Sequence, residues 1–147
     1  MTQDAPDISL SIALMAELVA ADQAIQSTLA RHLPKGMPVS HFSVLNHLRN
    51  AGEKSPAQLA RNFQLTKGAI TNTLQKLEAA GYIHIRPDWD DARKKLVAIS
   101  PAGRAAQEHA LARVTPVFES VMDQIGSGKI KQTLPVLRSF RTAIRGL

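Results

Sequence analysis

The sequence predicts a mainly α-helical chain of α+β type, with long helical segments on both sides of a single two-stranded ribbon. Three observations predict it. Helix starts are written as capping residues, at Ser55 with Pro56 and Gln58, at Thr66, and at Ser100 with Pro101. Apolar residues elsewhere recur every three or four positions, the period of a helix with one buried side. Only between Tyr82 and Ile99 does the pattern change to alternation, with Ile83, Ile85, Val97 and Ile99 as the inward residues of a hairpin.

In chain order, residues 1–7 form a polar leader ending at Asp7, which can cap the helix that follows. From Ile8 to Leu33 the apolar residues make two rows, Ile8, Ile12, Met15 and Val19 on one, Leu10, Leu14, Leu18, Ala21, Ile25 and Leu29 on another. A helix apolar on two sides is expected to pack on its own domain and on a second subunit, although one broad buried face inside a monomer also fits. The segment from Pro34 to Pro38 breaks the helix, and Ser40 is expected to cap the next, which runs to Asn50, Ala51 and Gly52. His41 and His47 lie there; no third ligand sits at a zinc-like spacing, so solvated or hydrogen-bonded histidines fit better than a metal site.

Ser55, Pro56 and Gln58 start a short helix that buries Leu59, Ala60 and Phe63, and Gln64 and Leu65 turn the chain. Thr66 caps a second helix to Ala80, in which Ile70, Leu74 and Leu77 face inward. Its other face carries Lys67, Gly68, Thr71, Asn72 and Gln75, small, polar or cationic side chains suited to phosphates and base edges. Lys67 can neutralise a phosphate, and the paired donor and acceptor of Asn72 match adenine in the major groove. Gly81 closes the helix. Tyr82–Arg86 and Lys94–Ile99 are then strands around a tip of Pro87, Asp88, Trp89, Asp90, Asp91, Ala92 and Arg93. Helix, turn, helix and ribbon in that order make a winged helix-turn-helix over residues 40–100. Trp89 can stack near a sugar-phosphate backbone or fold over the hairpin, the latter being favoured. Ser100 and Pro101 launch a long helix from Ala102 to Ile125 that Pro116 should kink. Gly126, Ser127 and Gly128 are expected to form a flexible turn, and Pro135 to bend or restart the last helix.

The order of these parts, the phrase Leu77, Glu78, Ala79, Ala80, Gly81, Tyr82, Ile83, and the wing Asp88 to Arg93 resemble the MarR family of bacterial transcriptional regulators. The resemblance covers nearly the whole chain, read as a single domain over 1–147. It implies that residues 8–33 and 102–147 interlock across a two-fold axis as dimerisation helices, while 40–100 bind double-stranded DNA. It implies that Arg93 is the minor-groove arginine of the wing and Asp91 the acid that braces it. Two positions of the reading helix depart from the pattern, since an arginine is common where Asn72 stands and a hydroxyl residue where Ala69 stands. Asp90 likewise replaces a more usual basic residue. The expected DNA contacts are Ser55, Thr66, Lys67, Gly68, Ala69, Thr71, Asn72, Gln75, Lys76, Arg93, Lys94 and Lys95, with Asp91 in support.

Composition limits the alternatives. With a net charge of +6 and a pI near 10.1, the chain favours polyanionic partners. Residues 66–104 hold seven Lys and Arg against four Asp and Glu, so the motif itself is basic. Residues 1–30 carry four acids and no Lys or Arg, residues 129–147 five Lys and Arg and no acid, which favours the two ends meeting within one chain or between two. The absence of cysteine excludes disulfides, thiolate metal sites and cysteine-based redox sensing. No uninterrupted apolar run approaches membrane-spanning length and the leader lacks a basic start, so a cytoplasmic protein is expected. HExxH, a phosphate loop and a serine elbow are all missing, so no enzyme is expected. The sequence therefore predicts a homodimeric regulator on a pseudo-palindromic operator, a repressor released by a small organic effector, without cofactor, metal or membrane partner. The effector is implied by the resemblance alone. A winged-helix module that binds protein, with no DNA operator, is the rival.

Overall fold

The computed structural model describes residues 6–147; of the leader expected over 1–7, residues 1–5 lie outside the described residues. Six helices and one hairpin follow in order: α1 (Ile8–His32), α2 (Val39–Ala51), α3 (Pro56–Phe63), α4 (Lys67–Ala79), β1 (Ile83–Pro87), β2 (Lys95–Ile99), α5 (Pro101–Ile125) and α6 (Ser127–Arg145).

The local signals act as their chemistry dictates. Asp7 caps α1 by accepting from the Ser9 N–H at 3.0 Å. Ser55 and Gln58 form a reciprocal capping box, the Gln58 N–H donating to the Ser55 hydroxyl at 3.1 Å and the Ser55 N–H to Gln58 Oε1 at 2.9 Å. Thr66 accepts from the Ala69 N–H at 3.1 Å. The end of α4 is a Schellman turn: Gly81, at φ +78°, donates to the Glu78 carbonyl and Tyr82 to the Leu77 carbonyl. Gln64 takes the left-handed conformation at φ +54° and lets Leu65 bond back to Ala60, which makes the tight turn between α3 and α4.

Two cores result. In the winged lobe, Leu45, Leu48, Leu59, Ile70, Leu77 and Val97 are all essentially buried, so the predicted inner row of α4 meets α2, α3 and the hairpin. The strands pair antiparallel with Ile83 opposite Ile99 and Ile85 opposite Val97, setting the apolar residues on one face. Lys54 adds a one-residue bridge to Val97 through two backbone hydrogen bonds, a third strand position beside β2. A smaller core of Leu29, Leu33, Phe42, Ala110 and Val114 joins the end of α1 to α2 and α5.

A polar pin also joins the lobe to α5. Gln107 is buried; its Oε1 accepts from Arg49 at 2.7 Å and its Nε2 donates to Asn46 Oδ1 at 3.0 Å. Arg49 continues to Glu108 at 2.7 Å. At the start of α5 the buried Ser100 hydroxyl donates to the Gly81 carbonyl at 2.6 Å and accepts from the Gly103 N–H at 2.9 Å. Gly103 itself lies hard against the Tyr82 carbonyl, where a Cβ would stand 2.0 Å from the oxygen.

Several expectations need correction. Ser40 does not cap α2: Pro38, held extended, is the N-cap, with no side-chain cap bond, and its carbonyl accepts from His41 and Phe42, leaving Ser40 inside the first turn. The break before α6 is one residue, not a three-residue turn; Gly126 at φ +90° redirects the chain, and Ser127 and Gly128 already belong to the helix. Pro135 does not restart the helix: α6 runs through it unbroken, exposed to water that can take the carbonyl proline leaves without a donor. α5 is a single helix with Pro116 inside it, as the expected 102–125 span requires. Finally, α1 is long and apolar enough to cross a membrane, with a mean hydropathy of 1.5 over 18 residues, none of them buried. Glu17 and Asp22 interrupt the apolar run but do not lower the mean enough. Each would cost about 2.5 to 3.5 kcal/mol near the middle of a bilayer, against a much smaller cost at the rim of a helix-helix contact.

Candidate nucleic-acid interface

The outward side of α4 is built by subtraction: Ile70, Thr73, Leu74 and Leu77 are buried, so the remaining residues face solvent. Lys67, Gly68, Ala69, Thr71, Asn72, Gln75 and Lys76 are all exposed, as is the capping Thr66. They form two adjoining rows, Lys67–Thr71–Gln75 and Gly68–Asn72–Lys76, each stepping by one helical turn. The Thr71 hydroxyl donates to the Lys67 carbonyl at 2.7 Å, which leaves its lone pairs outward and free to accept.

Beside this helix stands the wing, and between them runs an open groove of about 1160 Å³. Ser55, Lys67, Thr71, Arg93, Lys94 and Lys95 all border it, so six of the predicted contacts converge on one concave surface. Ser55 is half-buried, its oxygen engaged in the capping box, and offers at most its hydroxyl proton. Gln75 borders a second groove of about 450 Å³ at the base of the wing, with Thr71, Arg86 and Glu78. Asn72 and Lys76 border neither groove. Arg61 of α3 also lines the larger groove, and the sequence reading missed it. Its signal was positional, since Leu59, Ala60 and Phe63 claim the inner side of α3 and leave Ala57, Gln58 and Arg61 on the outer one.

The wing tip is a hydrogen-bonded knot. The Asp88 N–H donates to the Lys94 carbonyl, the Lys94 N–H to Asp91, and the Asp91 N–H to Asp88. Asp88 also accepts from the Asp90 N–H at 3.0 Å. Asp91 accepts from the backbone N–H of Arg93 at 3.1 Å and from its Nε at 3.2 Å, the brace expected of it. Those bonds to Arg93 hold the Asp91 carboxyl below the usual carboxylate range. Arg93 stays 92% exposed, its guanidinium projecting from the tip. Two of the three acids are thus consumed by the tip's own donors. Trp89 does not fold over the apolar face of the hairpin, which Ile83 and Val97 already fill; the residue is 85% exposed.

His41 and His47 do not converge on a ligand set. His47 is within 3.0 Å of Asn62 Nδ2 and meets Phe63 edge-on at 5.5 Å between ring centres, while His41 is half-buried near the junction with α5. Among the described residues no group of three or more His, Cys, Asp or Glu is placed to hold a metal ion.

Residues 35–94 match the sequence profile of the MarR family. Over this winged lobe the chain is similar to the MarR family. The matched residues run from the loop before α2 to the wing tip, so they contain the whole outward face of α4. The multiple antibiotic resistance protein MarR of Salmonella typhimurium is 33% identical over 75 residues, 51% of this chain and 52% of that protein. The curated relatives first matched are spanned over only 52% to 58% of their own length. The fold likeness reaches further. The transcriptional regulator BldR from Sulfolobus solfataricus superposes with a TM-score of 0.83 at 23% identity, covering 95% of this chain and 99% of that one. A mutant MarR from E. coli, solved with operator DNA, superposes with a TM-score of 0.76 at 21% identity, over 92% and 99%. The MarR-type winged fold thus includes both long terminal helical segments, although the family profile itself covers only the lobe.

Proposed function

We propose that this chain is a MarR-family, homodimeric, sequence-specific DNA-binding transcriptional regulator, acting as a repressor that a small organic effector releases. The observation that carries the reading is the convergence of the exposed α4 face with the cationic wing on one groove. A helix with Lys67 at its N-terminus and Asn72 on its outer row fits the major groove, and Lys94 and Lys95 lie where phosphates would flank it. Likeness to a MarR that has been solved on operator DNA supports the same placement.

Dimerisation is supported by surface that one copy leaves uncovered. Ile12, Val19 and Ile25 of α1, Phe118 and Ile125 of α5, and Val136 and Ile144 of α6 are each 44% to 57% exposed. So many large apolar side chains left exposed on three long helices favour an interface, and a second copy would cover them. Two-fold symmetry then calls for a pseudo-palindrome with half-sites roughly 10 base pairs apart. An effector can act only by binding one spacing of the two lobes better than the other.

The reading is tested on duplexes recovered by selection from the source genome, with binding followed by anisotropy at several salt concentrations. Asn72→Ala weakens the selected sequence more than random DNA, by about 1 to 3 kcal/mol on the selected one. Lys94→Ala weakens both alike and lowers the salt slope by about one. Equal losses on both duplexes for Asn72→Ala would remove it from the reading residues. A module that binds only protein would recover no duplex at all.

A further inference from the structure

The wing tip carries one feature that phosphate neutralisation does not use. Trp89, the only tryptophan of the chain, stands at the tip as a residue 85% exposed, an arrangement water disfavours for so large an apolar surface. The ring is nevertheless held in place. The Arg86 guanidinium lies over it, with Cζ 4.3 Å from the ring centre. Arg86 is in turn fixed by Glu53 at 2.6 Å and by donation to the Pro87 carbonyl at 3.2 Å. One face of the indole is therefore backed by a tethered cation, and the backbone that presents it is locked by the Asp88, Asp91 and Lys94 hydrogen bonds. The opposite face is free.

We propose that Trp89, backed by Arg86, is a DNA-contacting side chain of the wing, its free face packing against the deoxyribose wall of the minor groove beside the site bound by α4. This rests on the DNA-binding reading above. Position argues for it: Trp89 shares the tip with Arg93, beyond the groove that Lys67, Thr71, Lys94 and Lys95 border. When α4 occupies the major groove, this tip reaches the adjacent backbone and minor groove, where apolar side chains find sugar surface and phosphates face cations. Chemistry agrees, since an indole gains by leaving water against sugars and needs no particular base. The nearby acids do not forbid it, because Asp88 and Asp91 are occupied within the tip, and against the exposed Asp90 stand Lys94, Lys95 and the outward guanidinium of Arg93. Trp89 should strengthen binding with little effect on sequence choice, unlike Asn72.

Because the chain has a single tryptophan, its emission reports on this residue alone. The full-length protein is titrated with a fluorescein-labelled duplex recovered by selection, anisotropy giving binding and acrylamide quenching giving access to the ring. Saturation with duplex is expected to shield Trp89 from acrylamide. Trp89→Ala is expected to lower affinity about tenfold on selected and random duplexes alike, whereas Trp89→Phe keeps affinity within about threefold. Circular dichroism of both variants should match the parent, since the ring supports no core. A saturated complex in which acrylamide still reaches the ring, or unchanged affinity for Trp89→Ala, overturns the proposal and leaves the DNA-binding reading standing; Trp89 would then be free for a protein partner. Anisotropy that never rises with any duplex overturns both.

Discussion

Gly103 gives the sharpest test of how the lobe is seated on the long helix α5. An alanine Cβ there would lie 2.0 Å from the Tyr82 carbonyl oxygen and 2.9 Å from Ile99 Cγ1. Relief requires a shift of more than 1 Å, and the Tyr82 carbonyl is not free to move. It accepts from the Ser100 N–H at 2.9 Å, within the same turn whose hydroxyl ties Gly81 to the start of α5. Overpacking of this kind costs about 1 to 3 kcal/mol, at the upper end where backbone must yield. Replacing glycine inside a helix returns up to about 1 kcal/mol. Gly103→Ala should therefore lose about 2 kcal/mol, which lowers the melting temperature by roughly 4 to 8 °C for a chain of this size. Urea unfolding at matched protein concentration, followed by circular dichroism, measures it. An unchanged or raised midpoint would mean that α5 slides freely over the Tyr82 turn and that this seat does not fix the geometry of the lobe.

Two further outcomes follow from the junction and its chemistry. Gln107→Leu removes the bonds to Arg49 and Asn46, while Glu108 and Asn50 still engage those partners, so the urea midpoint should fall by about 1 to 2 kcal/mol. Burial, and after it the Lys76 ammonium, holds the His41 pKa below its usual 6.5. The unfolded chain then takes up the proton more readily than the folded one. Stability due to His41 is complete above pH 6.5 and declines as pH falls through the lowered value; unfolding midpoints at pH 7.5 and 5.5 should show this decline, and His41→Asn should reduce it.

Much of the fold was legible because its signals are local. Ser55 with Gln58, Thr66 and Gly81 each specify a turn by their own hydrogen bonds or backbone freedom, and the row Ile70, Leu74, Leu77 fixes which side of α4 faces out. The two outward rows, one with Lys67 and the other with Asn72, were therefore legible as well. What escaped depends on neighbours distant in sequence. Ser40 has the chemistry of a cap, but the extended backbone of Pro38 starts the helix two residues earlier. Arg61 reaches the groove only because α3 packs beside α4. Trp89 is exposed because Arg86, itself held by Glu53 of a different segment, supports it away from the hairpin core. The role of Gly103 could not be read from α5 alone, since the atom it avoids belongs to the turn after α4.

Hydroxyl-radical footprinting of the protein on a duplex selected from the source genome tests the central claim most directly. Two protected half-sites with centres roughly 10 base pairs apart, related by approximate two-fold symmetry, are the expected result. A single unpaired half-site, or cleavage unchanged along the duplex at saturating protein, would contradict an outward α4 face presented twice to DNA.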